Sequence, residues 1–123
     1  MDYGYFGFME LGEDHTPSLF IDTSVWSEED IVYSYINGKL YKQMIPKGNH
    51  NYIPHRGIFY ISNSGVDLNQ EYIYSYTDKG IELVAMENHD ENGNTYYINE
   101  KPVEKSMYDM KHNLLLRGNP INM

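Results

Sequence analysis

The strongest constraint on this chain is a pattern that occurs twice. Val32-Tyr33-Ser34-Tyr35-Ile36-Asn37-Gly38-Lys39-Leu40 returns 41 residues later as Ile73-Tyr74-Ser75-Tyr76-Thr77-Asp78-Lys79-Gly80-Ile81. Each copy is a tyrosine-rich alternating run, a turn signal and a second alternating run, which predicts a β-hairpin. Asn37-Gly38 suits a two-residue turn whose central residues both need positive φ, and Gly80 suits the left-handed position of a longer turn. A short apolar strand precedes each hairpin, Leu19-Phe20-Ile21 in one case and Ile58-Phe59-Tyr60-Ile61 in the other. The repeated unit is therefore strand, polar loop, strand, tight turn, strand, over residues 18–45 and again over 57–86.

A recurrence near forty residues in a β protein is the spacing of propeller blades. Two units cannot close a propeller, which typically needs at least about four blades. The expected fold is a mainly all-β, antiparallel meander of about seven or eight strands in two blade-like repeats, as a curved sheet or partly open barrel. Composition agrees: 13 tyrosines and a single alanine, Ala85, favour pleated strands over helices. At 123 residues the chain is one domain, large enough to bury a core without a metal or disulfide staple.

Outside the repeats, residues 3–11 alternate loosely around Tyr5, Phe6, Phe8 and Met9 and read as a first strand. Residues 46–57 read as the longest structureless stretch, 62–69 as polar loop and 87–94 as an acidic turn. Thr95 to Ile98 reads as the last clear strand. A helix is expected over 103–116, with Val103, Met107, Met110 or Lys111, and Leu114 on its apolar stripe.

A net charge of −9 argues against a nucleic-acid partner and against an anionic membrane surface. No cysteine is present, so thiol catalysis, thiolate metal sites and disulfides are excluded. No apolar run is long enough for a transmembrane helix, so direct membrane insertion is not expected. The first residues carry neither the basic region nor the apolar core of an export signal. As written the chain reads as cytoplasmic; with an upstream signal removed it reads as extracellular or cell-surface.

Three segments bear a family likeness. Phe6-Gly7-Phe8-Met9-Glu10-Leu11-Gly12-Glu13-Asp14-His15-Thr16-Pro17-Ser18-Leu19 resembles a strand and acidic loop of the form Tyr-x-Φ-x-Asp-Φ-Asp-Gly-Asp-Gly-x-Pro-Glu-Leu, where Φ is apolar. Val32 to Leu40 is similar to the tyrosine-strand, Asn-Gly, strand hairpin that follows it. Tyr96-Tyr97-Ile98-Asn99, then Val103 and Tyr108, resemble a closing turn and tyrosine-bearing helix. Together they resemble a loose group of secreted or lipid-anchored proteins of Gram-positive bacteria. The resemblance implies a blade-like meander and a cell-surface setting. In the full acidic loop, alternate carboxylates can hold Ca²⁺, which takes about six to eight oxygens. Here Glu10 and Asp14 remain, Gly12 stands where the middle carboxylate belongs, and Ser18 replaces the closing acid. Glu10 and Asp14 are thus the weak metal candidates, and no metal or other cofactor is expected.

No nucleophile elbow or phosphate loop is present, and nothing selects a catalytic residue. His50 and His55 share the long loop without a third ligand, and His89-Asp90-Glu91 reads as a polar turn. The tyrosines carry the functional expectation. Tyr33, Tyr35, Tyr74 and Tyr76 should share one face of the hairpins, with Trp26 nearby. Facing inward they are core; facing outward they form an aromatic strip for a sugar or a protein partner. The leading expectation is a non-catalytic binding or spacer module of a bacterial surface protein. The alternatives are a small acidic immunity or inhibitor protein for a basic partner, and a carbohydrate-active enzyme fragment.

Overall fold

The structure, a computed structural model, describes residues 5–11, 17–23, 29–64, 69–90, 93–118 and 120–122. These residues form two antiparallel sheets and one C-terminal helix, with no closed barrel among them. The first sheet is a meander in chain order: β1 (Tyr5–Met9), β2 (Ser18–Asp22), β3 (Glu29–Ile36) and β4 (Lys39–Pro46). The second begins with β5 (Asn49–Ile53), β6 (Ile58–Ser64), β7 (Asn69–Thr77) and β8 (Gly80–Asp90). It continues through β9 (Gly93–Ile98) and β10 (Lys101–Val103), and the short β11 (Ile121–Asn122) returns from the C-terminal side to pair with β5. Helix α1 spans Lys105–Leu115.

Both repeated hairpins form as their turn residues dictate. Asn37 and Gly38 take φ of +52° and +79°, the signs that keep a two-residue turn in step with strand twist. In the second hairpin Gly80 takes φ +96°, and the Thr77 hydroxyl donates to the Gly80 carbonyl at 3.0 Å. The second hairpin also carries a register shift at Ile73/Tyr74, where Leu83 and Ala85 are the paired residues of β8 and Val84 is the extra one.

Several expectations need correction. Residues 46–57, read as structureless, contain β5; its polar sequence Asn49-His50-Asn51 gave no strand signal. Each repeat therefore has four strands, β1–β4 and β5–β8, where three were expected. Strands β6 and β8 extend further into the supposed loops, and eleven strands form among the described residues, more than the about seven or eight expected.

The two sheets and the helix make three layers. Between the sheets, Phe20, Val32 and Ile45 from the first meet Phe59, Ile61 and Ile81 from the second, with Tyr72, Tyr74 and Tyr76 packed around them. On its other face the second sheet presents Ile58, Ile73 and Ala85 to Tyr108, Leu115 and Leu116 at α1. The expected helical stripe is corrected here too: Met107, Met110 and Leu114 are exposed, and Tyr108 is the buried residue of the helix.

Polar contacts fix the layers against sliding. The Gln43 side-chain amide of β4 grips the backbone of β8: its Oε1 accepts from the Ile81 N–H at 2.7 Å, and its Nε2 donates to the Ile81 carbonyl. It acts as a one-residue surrogate strand. Where the first sheet hands over to the second, Asp30 lies buried between Lys47 Nζ at 2.6 Å and His50 Nε2 at 3.4 Å. Thr23 N–H donates to the same carboxylate at 3.0 Å.

Candidate functional site

Strand alternation assigns each tyrosine a side once the layers are known. In β3, Asp30, Val32, Ser34 and Ile36 point inward and are buried, so Ile31, Tyr33 and Tyr35 point away from the second sheet. In β7 the sense is reversed. Tyr72, Tyr74 and Tyr76 point toward the first sheet, and the Tyr74 ring lies 6.1 Å from that of Phe59. Burial pushes the Tyr74 phenol up to about 12. The four candidate tyrosines thus separate: Tyr74 and Tyr76 belong to the core, whereas Tyr33 and Tyr35 lie on the outer face of the first sheet. Trp26 lies outside the described residues.

That outer face is the candidate site. Register places Phe6 opposite Ile21 and Phe8 opposite Leu19, continues from Leu19 to Tyr33, and sets Tyr35 opposite Leu40 and Ile31 opposite Met44. The face is consequently mainly apolar across all four strands, with Lys42 opposite Tyr33 and Glu29 at the start of β3, although one side of an exposed antiparallel sheet is ordinarily polar. Its exposures are large: Phe6 70%, Phe8 60%, Tyr35 54%, Leu40 61% and Met44 47%. Pro17, Leu19, Tyr33, Tyr35 and Leu40 line an open groove of about 460 Å³ upon it. Phe6 and Phe8 meet edge to face with ring centroids 6.4 Å apart. Phe6, Phe8, Leu40 and Met44 were missed by the sequence reading. Their signal was in the text, as alternation in the first strand and in Leu40-x-x-x-Met44, but only the strand register joins it to Tyr33 and Tyr35.

Comparison of the chain with protein-family models, curated proteins and solved structures gives no match. The chemistry of the site has to come from its own residues.

Two polar clusters lie elsewhere. In the first, Asp30 and His50 are closed from solvent; burial pulls the His50 imidazole below its ordinary value, against the Pro46 carbonyl and Asp30, which raise it. The carboxylates of Asp30 and Asp22 hold Lys47 above its usual range in spite of its own desolvation. Sealed in this way, the cluster ties strands together. In the second, beneath α1, Tyr108 Oη donates to Glu71 Oε1 at 2.8 Å and His112 Nε2 lies 3.0 Å from the same oxygen. Burial, and then the neighbouring Glu71, raise the Glu87 carboxyl, and burial with Glu71 raises the Tyr108 phenol strongly. Glu71 is thereby committed to holding the helix.

Of the two metal candidates, Glu10 is engaged by His55, whose Nε2 lies 3.0 Å from its carboxylate, and Asp14 lies outside the described residues. Among the described residues, no group of three or more His, Asp or Glu converges as a metal site, and no helix is long and apolar enough to cross a membrane.

Proposed function

We propose that this chain is a non-catalytic binding or spacer module whose contact surface is the outer face of the first sheet. The observation that supports this reading is the mainly apolar face from Phe6 and Phe8 through Tyr33 and Tyr35 to Leu40 and Met44, broken by Lys42 and left open on a chain of net charge −9. Exposed apolar patches of such extent are marks of interaction surfaces. Covering one half-exposed side chain of this size is worth about 1 kcal/mol, so the five most exposed together supply several kcal/mol toward binding. Flat aromatic rings at Tyr33 and Tyr35 can stack on a sugar ring or anchor a protein. A setting at the bacterial cell surface is part of the proposal and rests on the likeness of the acidic loop, hairpin and closing turn; fractionation of cells expressing the gene from its own locus tests it.

The experiment for the binding reading compares the wild-type chain with Tyr35→Lys and Leu40→Lys on a glycan array and in cross-linking capture. Both substitutions sit at exposed positions, so their thermal midpoints should match the wild type within a few degrees. A ligand held by the wild type and lost from both variants supports the reading. Equal retention by all three proteins refutes it.

A further inference from the structure

The internal repeat says what kind of surface fits the open face. Matching ladders set the two four-stranded units in correspondence: Leu19 opposite Tyr33 and Tyr35 opposite Leu40 in the first, Phe59 opposite Tyr74 and Tyr76 opposite Ile81 in the second. The outermost strands agree as well, since Phe8 opposes Leu19 as Tyr52 opposes Phe59. The outer face of the first unit is therefore the same face, residue for residue, as the one on which the second unit carries the first. In the second unit that face is sealed, with Phe59 at 0%, Ile81 at 1% and Tyr52 at 8% exposure. In the first unit it is open. A face built by this pattern is a stacking face for another antiparallel sheet, at the ordinary spacing of about 10 Å.

We infer that the occupant is a second copy of this chain, joined outer face to outer face in a closed two-fold dimer. This rests on the reading of that face as a contact surface. Three observations favour a copy. First, head-to-tail stacking would need the back of the second unit, and α1 already covers it through Tyr108 and Leu115 against Ile58, Ile73 and Ala85. Growth in one direction is blocked, and the remaining arrangement is isologous and closes at two. Second, among the described residues within β1–β4, alternation directs two charges onto this face, Glu29 and Lys42. They have opposite sign. They stand on adjacent strands, on either side of the Ile31–Met44 pair, so a two-fold axis through that level brings Lys42 of one copy toward Glu29 of the other. With one charge of each sign among the described strand residues of this face, self-pairing through those residues meets little repulsion. Third, the size suits a reversible partner. Four strands span about 20 Å, and five to eight residues along them span about 17–26 Å, which puts the contact at the low end of specific interfaces. The dimer should dissociate in the micromolar range.

Sedimentation velocity of the intact chain from about 1 to 500 μM brackets that range. The expected result is a concentration-dependent shift from the 14.4 kDa monomer to twice that mass and no further. Tyr35→Lys and Leu40→Glu should each weaken the dimer at least tenfold. Met110→Lys, on the exposed side of α1, should leave it unchanged. Lys42→Glu and Glu29→Lys should each weaken it, and the double exchange should restore it, a rescue that general stickiness of the patch would not show. Far-UV circular dichroism at low concentration confirms that each variant is folded. A monomer throughout the range, a dimer indifferent to Tyr35→Lys, or an open series of larger species overturns the inference. A monomeric chain that still loses a captured ligand on Tyr35→Lys leaves the binding reading standing and removes only the self-pairing.

Discussion

Equivalent tyrosines of the two units, one pair packed between the sheets and the other on the outer face, should respond very unequally to truncation. Tyr74 and Tyr33 occupy matching positions of the repeat, as do Tyr76 and Tyr35. Tyr74 is packed between the sheets against Phe59, so Tyr74→Ala loses apolar burial, opens a cavity and breaks an aromatic pair. Full truncation of a buried aromatic costs about 3–5 kcal/mol, and the partial exposure of Tyr74 brings the expectation to about 3 kcal/mol. Tyr76→Ala should cost about 2–3 kcal/mol for the same reasons. Tyr35 is 54% exposed, and Tyr35→Ala should cost less than about 1 kcal/mol. For a chain of this length 1 kcal/mol moves the thermal midpoint by about 3–5 °C, so Tyr74→Ala should melt about 10–15 °C lower and Tyr35→Ala within about 4 °C of wild type. The measurement is thermal and urea unfolding of Tyr33→Ala, Tyr35→Ala, Tyr74→Ala and Tyr76→Ala at a concentration where each is monomeric. Equal losses at Tyr35 and Tyr76, or a larger loss at Tyr35, would refute the assignment of inner and outer faces.

The His50 imidazole should titrate below 6.5 in an NMR titration, because burial disfavours its charged form. The unfolded chain then binds the proton first, so the stability that His50 contributes is complete above about 6.5 and is lost as pH falls through that value toward the folded one. A midpoint above 6.5 would contradict this. Tyr108→Phe removes the hydrogen bond from the phenol to the Glu71 carboxylate while keeping the ring, and should cost about 1.5–3 kcal/mol in urea unfolding. No change in the midpoint would mean that the contact does not hold the helix.

What the sequence made legible was local. Asn37-Gly38 and Asp78-Lys79-Gly80 specify their turns by the sign of φ, and tyrosine alternation specifies strands on either side. The likeness of the two units was also visible, but not their order in the stack. Tyr33 and Tyr74 have nearly the same neighbours in sequence; one is outer and the other inner because only the second unit has a sheet placed upon that face. Strand β5 was hidden for a related reason. His50 reads as polar, yet it is buried with its ring 4.6 Å from that of Phe20, and its burial is decided by a partner thirty residues away. In α1 the methionines promised the buried stripe, but Tyr108 took that side because Glu71 on β7 offers its hydroxyl a partner. The candidate face was half legible: Tyr33 and Tyr35 by repetition, Phe6, Phe8, Leu40 and Met44 only by register.

The return of β11 to β5 has a consequence for how the chain assembles and opens. Every other ladder joins strands that are consecutive along the chain, so each can form by closing a short loop. Pairing Ile121 with Tyr52 closes a loop of about seventy residues for two rungs of ladder, a poor return on lost entropy. The two meanders should thus nucleate independently at their hairpins and dock, with the tail joining last. In hydrogen exchange the order should run backward: β11 opens first and bares the edge of β5, while the hairpin strands exchange only with global unfolding.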